Sequence, residues 1–212
     1  MKNNLLYILL MLLCSNAAGQ AGGGLEHYYY VAGREIPALV PIVHFNTSTD
    51  WYGEARYNYE DFNTLSLYGG KTFSKDGTWS YSATPLIGGM IGSMNGGSLG
   101  LNFDVDRGKM FLSSQSQYSF SAEDRMNKYF FTWSEMGYQA LPWCYAGVAL
   151  QQTSMHKQTG IWETGYMVGF SFKQWTIPLY VFSISKQERY FILGINWEWQ
   201  NREKRIQTVV YE

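Results

Sequence analysis

The chain has 212 residues, 16 basic and 17 acidic side chains, and a formal net charge of −1. That balance offers no basic excess for nucleic acid, and a mean hydropathy of −0.24 excludes a bundle of membrane helices. The marked biases are 17 Tyr, 12 Phe and 8 Trp, beside 22 Gly and only 16% charged residues.

Residues 1–19 read as a signal peptide. Met1-Lys2-Asn3-Asn4 is a charged start, Leu5 to Leu13 is apolar but too short to span a bilayer, and Ser15 to Gln20 is small and polar. Cleavage is expected after Gly19, with a cut after Ala21 as the alternative. Cys14 does not make a lipid-anchor site, because Leu13 stands where a small residue is needed. Residues 20–200 then form one domain, in keeping with a mature chain of about 190 residues. Cys144 remains as the only cysteine, so no intrachain disulfide is possible.

From there the chain reads as strand after strand. One or two strands fall within 28–46. In 51–60, Trp51, Gly53, Ala55, Tyr57 and Tyr59 share one face, while Tyr52, Glu54, Arg56, Asn58 and Glu60 share the other. This period of two is the strand signature. Segments 79–91, 98–106, 162–172 and 189–199 alternate in the same way. Segments 64–73, 109–120, 128–139, 143–153 and 175–185 are strands with apolar residues on both faces. Turn chemistry separates them: Lys75-Asp76-Gly77, Met94-Asn95-Gly96-Gly97 and Asp106-Arg107-Gly108. The pattern predicts an all-β, antiparallel, up-and-down transmembrane β-barrel of 10–12 strands. Twelve is favoured, since an even number returns both termini to one side. Residues 201–212 read as a polar C-terminal tail.

A soluble barrel also alternates, so the sign of the pattern decides. Aromatics cluster near strand ends on the apolar face: Trp51, Tyr59, Trp79, Tyr81, Trp162, Phe172, Trp197 and Trp199. They are expected to form a girdle at the lipid headgroups. The polar faces carry small residues and Gly where a water-facing surface would carry Lys and Glu. These features resemble the small outer-membrane β-barrel proteins of Gram-negative bacteria, and Trp51 to Glu60 resembles a stretch in an uncharacterised family of them. The resemblance implies a fold, an outer-membrane location, lipid as surroundings and the barrel-assembly machinery as a partner during insertion. It brings no activity. Such barrels often end on an aromatic residue, whereas here Tyr211 is penultimate.

The inward faces would place Glu54, Arg56, Asn58, Glu60, Asp104, Glu135, Glu163 and Glu198 in the lumen as a charge network. Buried charges must pair, with Arg56 the evident partner for nearby carboxylates. No metal spacing, cofactor motif or nucleophile elbow is present. The expectation is a non-enzymatic barrel with a structural or narrow-pore role. Two alternatives are a lipid-modifying enzyme built on His44 or His156 with a serine such as Ser154, and a soluble secreted barrel that binds a hydrophobic ligand.

Overall fold

The computed structural model describes residues 22–32, 38–123, 128–155, 160–183 and 189–199. The predicted signal peptide and C-terminal tail lie outside them. Every regular element among the described residues is a strand: β1 Gly22–Ala32, β2 Ala38–Asn46, β3 Trp51–Tyr57, β4 Thr64–Lys71, β5 Phe73–Lys75, β6 Ser80–Gly92, β7 Gly96–Arg107, β8 Met110–Ser121, β9 Lys128–Leu141, β10 Cys144–Met155, β11 Ile161–Phe172, β12 Trp175–Phe182 and β13 Tyr190–Trp199.

Each strand pairs antiparallel with its neighbours in sequence, and β1 pairs with β13 to shut the sheet. β4 and β5 are two parts of one strand, interrupted at Thr72, and both pair with β6. The result is a closed twelve-strand, up-and-down antiparallel barrel. Closure leaves no sheet edge, so backbone N–H and C=O groups meet partners without water.

The two ends differ. Connections 47–50, 76–79, 108–109, 142–143 and 173–174 are short and lie at the end where β1 starts and β13 stops. The strand ends at the other end of the barrel are joined by 33–37, 58–63, 93–95, 122–127, 156–160 and 183–189, mostly longer stretches of sequence. Tight turns at the short-turn end use left-handed residues: Asp50 (φ 64°), Gly108 (φ 56°) and Lys173 (φ 52°).

Burial fixes the sign of the alternation. Leu67, Ile87, Leu99 and Leu101 are 54%, 69%, 56% and 44% exposed, whereas Glu54 and Arg56 are 5% and 3% exposed. Apolar side chains face outward and charged ones inward, the reverse of a soluble barrel. The outer face carries a polar interruption between β8 and β9. There Ser114 pairs with Ser134 and Ser116 with Thr132, each at 2.8 Å, so the hydroxyls satisfy one another.

Two expectations need correction. The strand predicted over 51–60 stops at Tyr57, because Asn58 adopts φ 59° and ends the pleat. Parity is therefore lost past that residue, and Tyr59 does not join the outer face. Nor is the interior uniformly small and polar. Ala149, Met167, Tyr180, Phe182 and Ile192 form a buried inward cluster, with Tyr28, Tyr30, Phe111, Trp133, Tyr145 and Tyr190 packed against it. The apolar residues on both faces of 109–120, 128–139, 143–153 and 175–185 have this cause: these strands meet hydrocarbon outside and an aromatic filling inside.

Close strand approach sets a second requirement. At Gly147 a Cβ would meet the Met136 carbonyl oxygen and the Gly137 backbone, with the Met167 methyl 2.7 Å away. Only glycine leaves room there for the filling.

Placing a charge on the outer face should be costly. Leu101→Arg, near the middle of β7, is expected to destabilise the barrel by about 2–4 kcal/mol in lipid. Urea unfolding in vesicles would measure this; an unchanged midpoint would contradict the outward orientation.

Candidate functional site

The lumen is the one enclosed region in which the fold gathers charge, and β3 supplies its centre. Alternation sends Tyr52, Glu54 and Arg56 inward together. Glu54 accepts hydrogen bonds from Arg56 Nε and from the Tyr52 hydroxyl. Past the strand end, the 58–63 turn folds back into the barrel. Glu60 thereby lies 3.7 Å from Arg56 Nη1 and accepts from the Ser66 and Tyr68 hydroxyls. The Arg56 guanidinium lies between two rings, 4.4 Å from the centroid of Tyr59 and 4.6 Å from that of Tyr68. Burial pushes the Tyr59 hydroxyl well above its usual pKa, against the opposing pull of Arg56, so the ring is a neutral partner.

This group spans the lumen. Arg56 Nη1 donates to Gln117 Oε1 of β8 at 2.7 Å, four strands round the wall from β3. Tyr59 packs edge-on against Phe131 of β9 at 5.7 Å, and Tyr129 donates to the Glu60 carbonyl at 3.3 Å. A second crossing joins β9 to β12. Glu135 accepts from Trp133 Nε1 at 2.6 Å and from the Tyr180 hydroxyl at 2.7 Å, while Trp133 packs edge-on against Tyr180 at 5.2 Å. The interior is thus divided by one polar strut and one aromatic strut.

The other inward carboxylates line the remaining wall. Asp104 accepts from the Ser82 hydroxyl at 3.1 Å, and Glu163 accepts from Gln151 at 3.1 Å. Glu198 of β13 stands opposite Gly24 of β1. Asp106 shares the inward face of β7 with Asp104. Glu26 of β1 contacts His44 Nδ1 at 3.2 Å and accepts from Tyr28 at 2.8 Å. Sequence reasoning missed Glu26, His44, Gln117 and Tyr68 as parts of the network. Glu26 lies before the 28–46 span in which the first strands were expected, His44 lies in that span without a strand assignment, and the others need the cross-lumen geometry. Asn58 is not in the network. Its side chain accepts from the Asn63 amide at 2.8 Å and donates to the Leu39 carbonyl at 3.1 Å, holding the turn. Its left-handed backbone, which ends β3, takes it off the inward face.

The expected aromatic girdle maps to both ends. Trp51, Trp79, Tyr81, Phe172, Trp197 and Trp199 lie on the outer face at the short-turn end, joined by Trp143 and Trp175. Trp162 lies on the outer face at the opposite end, 55% exposed. Tyr59 is inside the lumen, as described. Cations sit over the belt: Arg107 is 4.7 Å from the Trp79 ring, Lys71 is 5.7 Å from Trp51 and Lys173 is 5.5 Å from Phe172.

The alternative catalytic pairing does not assemble from the described residues. His44 on β2 is engaged by Glu26 and stacks on Tyr52 at 6.2 Å, whereas Ser154 on β10 is bonded to Gln152 at 3.2 Å, five strands away round the wall. His156 lies outside the described residues. Among the described residues no group of three or more His, Cys, Asp or Glu could hold a metal ion.

Comparison with known proteins returns the same architecture. The KdgM porin superposes with a TM-score of 0.62 at 11% identity, covering 82% of this chain and 98% of that one. A structure of the KdgM porin in complex with disordered oligogalacturonate gives 0.63 at 11%, over the same shares of both chains. The NanC porin gives 0.58 at 8%, also covering 82% and 98%. No protein-family model and no curated protein matches. The likeness is therefore one of fold, and the resemblance of residues 51–60 to an uncharacterised family has no counterpart among these matches.

Removing Arg56 leaves Glu54 and Glu60 facing each other without their shared cation. Arg56→Met is expected to cost about 3–5 kcal/mol, and the triple change with Glu54→Gln and Glu60→Gln distinctly less. Thermal unfolding in detergent would measure both; equal losses would show that the charges are not coupled.

Proposed function

We propose that this chain is exported by its N-terminal leader, is inserted into the outer membrane by the barrel-assembly machinery, and serves there as a narrow, non-enzymatic pore with an ion-paired lumen. The short-turn end, with its tryptophan belt, faces the periplasm, as short turns do in such barrels. The carrying observation is the strut from β3 to β8. Arg56, 3% exposed and held by Glu54, Glu60 and Gln117, stands across the interior of a closed twelve-strand barrel. A structural plug alone would be served as well by apolar packing, which is often neutral or stabilising in place of a buried ion pair. Charges retained in a lumen fit a role in selecting what passes. The porin neighbours lend the fold, and their printed names agree with a channel.

The enzyme alternative is disfavoured by the separation of His44 from Ser154. The soluble alternative is disfavoured by the outward apolar face, which would aggregate in water.

Reconstitution into planar bilayers tests the proposal. The wild type should show small, discrete conductance steps. Glu54→Ala with Arg56→Ala, which removes the strut with both charges at once, should give steps on the order of twofold larger. Silence from both proteins at every voltage would overturn the pore.

A further inference from the structure

On the outer wall over β10, β11 and β12, the apolar surface at the short-turn end is not flush. Trp143, Phe170, Ser171, Phe172, Trp175 and Ile177 line an open hollow of about 240 Å³. Strand pairing builds it. Phe170 stands opposite Ile177 and Phe172 opposite Trp175, all four on outward positions, while Trp143 reaches in from the β9–β10 turn and stacks on Phe170 at 6.2 Å. The five apolar side chains of this lining are between 40% and 70% exposed. Large rings with two rotatable bonds are stiff, so the hollow keeps its shape.

In water such a surface would call for a protein partner, but on this wall the medium decides what fills it. Within hydrocarbon the hydrophobic effect gives no drive, and a molecule is held by close contact. Apolar hollows of about 150 Å³ already take up small hydrocarbons, so part of an acyl chain can lie in this one.

Lys173 supplies the other half of the site. With Gln174 it forms the turn between β11 and β12, next to Phe172 and Trp175, and its ammonium stands 5.5 Å from the centroid of the Phe172 ring. Its side chain is exposed. Glu198, whose amide donates to the Gln174 carbonyl at 2.9 Å, has the inward parity of β13 and so faces the other side of the wall. Trp175 and Trp197, 6.2 Å apart, mark this level as headgroup depth. Other rim cations also lie over rings: Lys71 over Trp51, Arg107 over Trp79, and Lys109 at 5.9 Å from Tyr138. At Lys173 the cation adjoins a hollow as well, so one molecule can meet both, with a phosphate at the ammonium and a chain against the rings.

We propose that this site binds one anionic phospholipid from the leaflet at the short-turn end, its phosphate on Lys173 and one acyl chain in the hollow between Trp143 and Trp175. This rests on the membrane placement proposed above and not on the passage of any solute. A basic side chain near the membrane surface favours an anionic lipid by about fivefold, and the hollow gives that preference a fixed place.

The test uses the full mature chain, folded in detergent micelles and titrated with dioleoyl phosphatidylglycerol or dioleoyl phosphatidylcholine. Native mass spectrometry counts the retained lipid. One phosphatidylglycerol should be held on the order of fivefold more tightly than phosphatidylcholine. Lys173→Gln should abolish the preference for that first lipid, whereas Lys71→Gln, which removes a rim cation over Trp51, should keep it. Dihexanoyl phosphatidylglycerol, which offers the same head with short chains, should fail to displace the bound lipid. Equal retention of the two dioleoyl lipids, equal loss in the two lysine variants, or displacement by the short-chain lipid would overturn the site. Failure of the chain to insert into vesicles at all would instead remove the membrane placement, and the site with it.

Discussion

The constraint from which the rest follows is closure. An open sheet in hydrocarbon would leave a row of unpaired N–H and C=O groups, each costing several kcal/mol. Pairing β1 with β13 removes the last edge. Once the ring is shut, each strand residue has only two possible surroundings, lipid or lumen, and adjacent residues must take opposite ones. Leu101 and Asn102, or Tyr57 and Arg56, are neighbours in sequence and solved by different solvents. A single departure from the pleat exchanges the two, which is why Asn58 matters. Its left-handed backbone ends β3 and lets the following residues turn into the barrel, carrying Tyr59 and Glu60 to Arg56.

The lumen is held by two kinds of interaction with different economies. An ion drawn out of water loses several kcal/mol of solvation, and attraction between opposite charges recovers this only when the other lone pairs and protons are also met. Here they are met by Tyr52, Ser66, Tyr68 and Gln117, inward residues of β3, β4 and β8. The aromatic strut needs no such supply. The pairs formed by Trp133, Tyr180 and Phe182 each add roughly 0.5–1.5 kcal/mol beyond the area they bury. Glu135 ties the two regimes together, because its carboxylate takes hydrogen bonds from the aromatic cluster itself.

The fold was legible in the sequence because a period of two and short turns are local signals. A strand number of 10–12 with twelve favoured, the outward greasy face and the inward Glu54 and Arg56 all follow from them. What was not legible had to do with distance round the ring. Gln117 looks like one polar residue in a serine-rich strand until β3 and β8 are placed across the lumen from each other. Trp133 has the same local pattern as an interfacial tryptophan, and only its contacts with Tyr180 and Phe182 put it inside. The doubly apolar strands β8 to β12 were ambiguous for the same reason, since a filled lumen and a lipid bilayer ask for similar side chains. Tyr59 was misplaced because alternation was carried to residue 60, past the end of β3 at Tyr57.

The neighbours illustrate how little of a pore's chemistry is written in its fold. At 8–11% identity, the same closed architecture is kept with nearly every side chain changed. The outer faces answer to one medium and so converge on apolar residues with aromatic ends. The inner faces answer to whatever passes, and nothing in the strand geometry dictates their charge. Among the described residues, the inward strand positions accumulate carboxylates while cations other than Arg56 are set outside, over Trp51, Trp79 and Phe172. That arrangement serves both faces. Outward cations at the rim sit with aromatic rings at headgroup depth, where long basic side chains reach water most easily. Inward carboxylates take hydrogen bonds from hydroxyl and amide donors of the lumen wall, as Asp104 does from Ser82 and Glu163 from Gln151. Under the proposed pore reading, the identity of the solute is set by the inner alternate residues.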